Sequence, residues 1–249
     1  MKWNSICFDL DNTLFSHEQA FKRAISECYN SLLATINKGT NVSGSSFETF
    51  FPIFKRNSDR YWALYENKNV TAQHYRRLRF METIKEMDLP FTEKEADWFH
   101  EKYYNIVDEY SVPYDGLHEL LQYLSKIGVT LGIITNGTID TQYNKLRKLG
   151  ITQWIPESNM IVSEEAGIAK PDPEIFILAE KTFSLTSPKL FVGDSWKHDV
   201  AGASGAGWDS LFLNTRGENR GAEHQPVAVC ETFSEASQTI REQLKEGGM

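Results

Sequence analysis

Asp9 and Asp11 end an apolar run, Ser5-Ile6-Cys7-Phe8, with Leu10 between them. If Trp3 to Leu10 is extended, alternation sends both carboxylates to one side and Leu10 to the other, so the two acids face one cavity. Two carboxylates ~4 Å apart repel by about 4 kcal/mol at an effective dielectric near 20. Such a pair needs a bound proton or a cation, and a divalent metal is the simplest remedy. Three later segments carry compatible chemistry. Gly132-Ile133-Ile134-Thr135-Asn136-Gly137 ends a buried run in a hydroxyl and an amide, beside a flexible glycine that lets backbone N–H groups approach a phosphate. Ala169-Lys170-Pro171-Asp172-Pro173 pins a lysine ahead of two prolines that restrict the backbone, the second opening a helix. Leu190-Phe191-Val192-Gly193-Asp194-Ser195 ends in an acid, and Asp199 follows about one helical turn on. Taken singly each is ordinary: a lone lysine is usually solvated, and scattered acids are usually helix caps or surface turns.

The elements that must position these residues are legible as alternating patterns. Apolar strand-like runs at Val129 to Ile134, Met160 to Ser163, Leu190 to Gly193, Ser210 to Leu213 and Val227 to Cys230 are separated by helical spacings. Leu117, Leu120, Leu121 and Leu124 form one such helix; Ile139, Tyr143, Leu146 and Leu149 form another before the terminator Gly150. This is the grammar of an α/β fold with a doubly wound parallel sheet, whose ligand crevice lies at the carboxyl ends of the strands. From about Phe15 to Ser111 the pattern is helical instead, at Phe21 to Ile36, Ala72 to Met87 and Thr92 to Tyr110. A capping box is formed by Thr92 and Glu95, and an Asn/Gly/Ser/Thr-rich loop runs from Asn37 to Ser46. The expected organisation is a discontinuous core, residues 1–15 and 112–249, with a helical domain at 16–111 inserted into it.

The order DxDxT, hydrophobic strand ending in Thr, Lys-Pro, GDSxxxD closely resembles the four motifs of the haloacid dehalogenase (HAD) superfamily, and the insertion resembles its helical C1-type cap. Asp11-Asn12-Thr13-Leu14-Phe15 and Ile168-Ala169-Lys170-Pro171-Asp172-Pro173 are most similar to the YjjG/YfnB-type branch, whose characterised members include nucleotide 5′-phosphatases. The resemblance implies a Mg²⁺-dependent phosphomonoesterase. In it Asp9 is the nucleophile and Asp11 the general acid and base, with its backbone carbonyl touching the metal. Thr135 and Lys170 hold the phosphoryl oxygens, Asn136 adds a backbone donor, Asp194 completes the metal site, and Asp199 orients Lys170 or metal-bound water. A charge count agrees with a cation: four aspartates carry −4 when ionised and Lys170 returns +1. Oxygen ligands and phosphate chemistry favour Mg²⁺.

Two other readings stay open. A phosphomutase uses the same four motifs but returns the phosphoryl group to a sugar hydroxyl, and a phospho-receiver module combines acids, Thr and Lys as a regulatory switch. A dehalogenase resembles the chain less, because that branch lacks an acid at the position of Asp11. With 26 Lys+Arg against 34 Asp+Glu, the net charge of −8 repels nucleic-acid polymers and anionic lipid surfaces. The expected partner is a small phosphorylated metabolite, a nucleotide monophosphate first. No stretch approaches the ~20 apolar residues of a membrane helix, and no signal-like start is evident, so a soluble cytoplasmic protein is expected. Cys7, Cys28 and Cys230 read as reduced thiols, with Cys7 as core filling rather than a nucleophile. Gly202 to Gly207 reads as close helix packing rather than a dinucleotide fingerprint. Phe47, Phe50, Phe51, Phe54, Tyr61, Trp62 and Tyr65 either stack on a flat leaving group or form a bundle core, the second being usual at helical spacing. Arg56, Arg60, Arg76, Arg77 and Arg79 read as a solvated helix face.

Overall fold

The structure is a computed structural model and describes residues 2–35 and 46–246. The chain forms two compact units, Met1–Glu18 with Ser111–Met249, and Gln19–Tyr110. Strand β1 (Ser5–Phe8) opens the first. Among its described residues the second is helical: α1 (His17–Leu33), which begins at the boundary, α2 (Phe47–Glu66), α3 (Ala72–Glu86) and α4 (Glu93–Ile106), then a 3-10 turn at Val107–Tyr110. Each of the last three helices starts at a hydroxyl, with Ser46, Thr71 and Thr92 accepting from backbone N–H groups of the first turn. At Thr92 the box is reciprocal, Glu95 accepting from the Thr92 N–H at 2.8 Å. The loop expected at 37–46 lies outside the described residues, apart from Ser46.

Aromatic residues make the helical unit's core. Phe50 stacks on Tyr29 with centroids 4.1 Å apart and on Phe54 at 5.4 Å, and Phe99 and Phe80 complete a buried cluster that Phe47 and Phe51 flank. At about 1.5–3 kcal/mol per buried side chain this packing is what holds four short helices together. The bundle-core reading is therefore right for Phe47 to Phe54. Trp62 and Tyr65 instead pack with Tyr75, and Trp62 stays half exposed. The arginines divide. Arg56 pairs with Glu86 and Arg77 with Glu93 and Asp97 at the surface, but Arg79 is buried, its guanidinium over the rings of Phe54, Tyr75 and Tyr103. A solvated face was the wrong expectation for Arg79, because its aliphatic stem and flat cation fit an aromatic-walled interior.

In the other unit α5 (Leu117–Lys126), β2 (Thr130–Thr135), α6 (Ile139–Lys148), β3 (Met160–Val162), α7 (Ser163–Ala166), α8 (Pro173–Thr182), β4 (Lys189–Gly193), α9 (Ala201–Gly205), β5 (Asp209–Leu213), β6 (Ala228–Cys230) and α10 (Phe233–Glu246) follow in order. The six strands form one parallel sheet in the order β3-β2-β1-β4-β5-β6. Both faces are covered, so the strand centres are continuous apolar runs, as in Leu131 to Ile134 and Leu190 to Val192. Two glycines permit this closeness: a Cβ on Gly132 would lie 2.6 Å from the Phe183 ring, and one on Gly202 would lie 2.9 Å from Phe176. The second is the helix packing expected of the glycine-rich stretch. All three cysteines are free and buried, and burial pushes the Cys7 thiol far above its ordinary range, so Cys7 is core.

Strand order reverses at β1, which lies between β2 and β4. Phe8 is level with Ile133 on one side and Val192 on the other. Register alone therefore brings the residues just beyond, Asp9, Thr135 and Asp194, to one edge of the sheet, at the switch point where open α/β sheets bind ligands.

Candidate active site

β1 ends at Phe8, two residues earlier than alternation implied, and the chain then turns sharply. Asn12 adopts φ 60°, a left-handed conformation that asparagine tolerates, and its side-chain oxygen accepts from the Glu18 N–H at 3.1 Å. This turn, rather than strand alternation, directs the two acids, and they take different partners. Asp9 is buried; its Oδ2 accepts from the Thr13 hydroxyl at 3.2 Å and its Oδ1 from Lys170 Nζ at 2.6 Å. The Asp11 carboxylate is held by Lys145, whose Nζ lies 2.8 and 2.9 Å from its two oxygens, with Gln142 Nε2 at 3.1 Å and His17 Nδ1 at 3.5 Å.

Lys170 is not a surface lysine. It is buried and donates to Asp199 Oδ1 at 2.8 Å as well as to Asp9. Asn136 fixes its backbone in a reciprocal pair, with Nδ2 donating to the Lys170 carbonyl and Oδ1 accepting from the Lys170 N–H, both at 2.9 Å. The amide at the end of β2 thus ties the lysine loop to the sheet edge. Thr135, fully buried, ends β2 beside it.

After β4, Ser195 caps a single π-helical turn, Trp196–Val200. Such turns are concentrated at functional sites. Here it carries Asp199 back over the strand end, where its Oδ2 accepts from the Ser195 N–H at 2.9 Å. A Cβ on Gly193 would lie 2.3 Å from that oxygen, so only glycine admits the carboxylate. Oxygens of Asp9, Asp194 and Asp199 all lie within 4.8 Å of one another. Asp194 is buried, and Arg216 Nη2 comes within 2.5 Å of its Oδ2 without the alignment of a hydrogen bond, so that oxygen has no hydrogen-bond partner.

Burial, then the neighbouring Asp9 and Asp199, raise the Asp194 carboxyl to about 8. Burial likewise raises Asp9 to about 6, against the opposing pull of Lys170. Burial alone would lower Lys170, but Asp199 and Asp9 outweigh it and hold it above its ordinary range. For Asp11 burial works upward, yet Lys145, His17 and Gln142 prevail and hold the carboxyl at about 2. Three clustered, buried carboxylates, with Asp9 and Asp194 resisting ionisation and one Asp194 oxygen lacking a hydrogen bond, are a donor set suited to a hard divalent cation.

Four contributors carried no motif: His17 at the start of α1, Gln142, Lys145 and Arg216. Gln142 and Lys145 lie beside the apolar stripe of α6, while Arg216 sits in the segment after β5. Their charges revise the count made from the motifs: Lys145, Lys170 and Arg216 together bring the four aspartates to −1, and a divalent ion would make the pocket +1, which suits a phosphate dianion.

Residues 3–207 match the family of haloacid dehalogenase-like hydrolases. The chain belongs to that family. It is 26% identical over 246 residues to the pyrimidine 5′-nucleotidase YjjG of Escherichia coli, covering 98% of both chains, and 28% identical over 238 residues to a ribulose-1,5-bisphosphate 5-phosphatase of Halopiger xanaduensis, covering 94% of both. Its fold is shared with the magnesium-bound HAD-hydrolase YfnB of Bacillus subtilis at a TM-score of 0.77 and 22% identity, covering 96% of this chain and 99% of that one. The family match makes the chain a hydrolase and removes the regulatory receiver reading. The fold also extends, at a TM-score of 0.60 and 23% identity, to a 2-haloacid dehalogenase of Pseudomonas syringae, with 96% and 99% coverage, so chemistry within the family must be argued from the site.

Proposed function

We propose that this chain is a Mg²⁺-dependent phosphomonoester hydrolase acting through an aspartyl phosphate on Asp9, with a nucleotide monophosphate or a similar small phosphorylated metabolite as substrate. The observation that carries the reading is the buried pairing of Asp9 with Lys170 beside Thr135, Asp194 and Asp199 at one sheet edge. Asp9 Oδ2 faces the weaker hydroxyl donor, Thr13, and is the oxygen available to attack phosphorus. The Asp9 O–P bond forms as the ester P–O bond breaks, and the leaving alkoxide takes a proton from Asp11. In the second half-reaction Asp11, as carboxylate, takes a proton from water while the water oxygen attacks phosphorus. The Asp9 O–P bond then breaks and phosphate leaves. The proton gained from water is the one given to the next leaving group, so the cycle balances. Lys145, His17 and Gln142, which hold the Asp11 carboxyl well below the usual carboxylate range, favour the base form. Lys170 neutralises Asp9 before attack and the phosphoryl oxygens during it, and the Thr135 hydroxyl adds a donor. Mg²⁺, which Asp9, Asp194 and the Asp11 carbonyl would hold with Asp199 in support, would supply further charge stabilisation at the phosphoryl oxygens.

The names of the two relatives, a pyrimidine 5′-nucleotidase and a sugar-bisphosphate phosphatase, both matched over nearly their whole length, support a small phosphate ester as substrate. Asp11 supports phosphoryl transfer over dehalogenation, since a halide leaves without a proton. A phosphomutase would follow the same first step and replace water by a sugar hydroxyl. Phosphate release across nucleotide, sugar and small organic monoesters with Mg²⁺, using Asp9→Asn as blank, tests the proposal. Release should occur with at least one class and fall by at least about 10³-fold in Asp9→Asn. Undiminished release by Asp9→Asn would overturn the reading, and transfer without release would favour the mutase.

A further inference from the structure

Gln142 and Lys145, both buried, form with the part-buried Asp11 a network that the four motifs do not account for. Both side chains come from α6, three residues apart and hence on one face. Gln142 is almost wholly buried, and its Nε2 lies 3.1 Å from Asp11 Oδ2, 2.7 Å from Thr135 Oγ1 and 3.2 Å from the Asn136 carbonyl. It approaches this closely because residue 137 is glycine, where a Cβ would stand 2.5 Å from that nitrogen. Lys145, also buried, meets both Asp11 oxygens and lies 6.0 Å from the centroid of the Phe15 ring. Burying an ammonium and an amide is unfavourable unless their partners repay it, and an apolar pair of the same volume usually stabilises a fold as well. These side chains do something an apolar pair cannot: they fix the rotamer of a carboxylate two residues beyond Asp9. By donating to Thr135 Oγ1, Gln142 also leaves that hydroxyl's own hydrogen free to point elsewhere.

We propose that Lys145, seated by its helix neighbour Gln142, is the positioning residue for the proton-transfer carboxylate Asp11, an inference that rests on the phosphatase reading. Lys145 makes its contacts with the Asp11 carboxylate and itself transfers neither proton nor phosphoryl group; it acts by holding Asp11 where the alkoxide leaves and where water arrives. Its removal should therefore be felt in proportion to how much the leaving group needs a proton.

The test compares kcat/KM, which reports events up to cleavage of the ester bond, for p-nitrophenyl phosphate and for an alkyl monoester such as glycerol 2-phosphate, in the full chain with Mg²⁺. Nitrophenolate departs unaided; an alkoxide does not. Lys145→Met should lower kcat/KM at least about tenfold on the alkyl ester and less than about threefold on the aryl ester, with kcat reduced on both because water activation also uses Asp11. Lys145→Arg, which keeps a cationic donor, should restore most of the alkyl activity. Equal losses on the two esters, or none, would overturn the proposal, since a loosened α6 cannot discriminate between leaving groups. If Lys145→Met does not fold, Lys145→Gln is read by the same ratio. Asp9→Asn separates the two levels of argument. Full activity there removes the phosphatase mechanism itself, whereas an inactive Asp9→Asn beside a non-selective Lys145→Met removes only the role given to Lys145.

Discussion

Gly193 shows how much of this site depends on a missing methyl group. Its ideal Cβ position is 2.3 to 2.5 Å from three atoms of the Asp199 side chain, contacts that no real Cβ makes. Gly193→Ala should therefore push Asp199 out of its bonds to Lys170 Nζ and the Ser195 N–H. Displacing a supporting carboxylate of this kind costs about 10- to 100-fold in metal affinity or activity, and a Mg²⁺ titration beside the phosphate-release rate would show it. Full retention of both would mean that Asp199 is not a determinant of the site. At this scale the motif aspartates, Thr135 and Lys170 were visible in sequence, because chemically distinctive residues stood at strand ends. Gln142, Lys145 and Arg216 were not. Their types are the commonest on solvated surfaces, and the turn at Asn12, next to Asp11, gives two of them a part-buried carboxylate as partner.

Among the elements, strands buried on both faces announce themselves as continuous apolar runs, so β2, β4 and β5 were legible nearly to the residue. The end of β1 was not, since Asp9 and Leu10 continue its alternation while the strand ends at Phe8, and nothing in the sequence distinguishes a π-helical turn at Trp196–Val200 from an α-helical one. Helix α4 was legible through its capping box, and Thr92→Ala should lower stability by about 1 kcal/mol, measured by urea unfolding. The same helix carries His100, whose two ring nitrogens are buried without a hydrogen-bond partner. Desolvation first, then the facing charges of Arg76 and Arg79 on α3, outweigh Asp97 on its own helix and lower its pKa from 6.5 to about 3. An unfolded chain takes up that proton near 6.5 and the folded chain does not. The contribution to stability is thus complete above 6.5 and disappears as pH falls toward 3. Replacing the ring with a non-titrating one, His100→Phe, should flatten this acid limb relative to the parent, seen as a smaller drop in urea midpoint between pH 7 and pH 4. Parallel acid limbs in the two proteins would refute the assignment.

For the whole molecule, the two-unit division makes the metal's effect local. Asp9, Asp11, Asp194 and Asp199, with the cations that partly balance them, all belong to Met1–Glu18 and Ser111–Met249, and the helical unit contributes none of them. Binding that favours the folded state stabilises only what unfolds with the site, by about 2.7 kcal/mol when free Mg²⁺ is 100 times its dissociation constant. For a chain of this size that is a Tm increase of roughly 5–11 °C. If calorimetry resolves two transitions, only the one belonging to the sheet unit should move, and if the units unfold together the single transition should move as a whole. A generic salt effect on a chain of net charge −8 would shift both units and would be matched by NaCl of equal ionic strength. Asp194→Asn removes a carboxylate whose Oδ2 lacks a hydrogen bond and whose ionisation opposes that of its neighbours, so the variant should be no less stable than the parent without Mg²⁺ while losing most of the Mg²⁺-induced shift. Chelator should abolish turnover in the parent and leave its metal-free transition where it was. A parent protein whose melting curve and rate ignore both Mg²⁺ and chelator would show that Lys145, Lys170 and Arg216 neutralise the acid cluster by themselves.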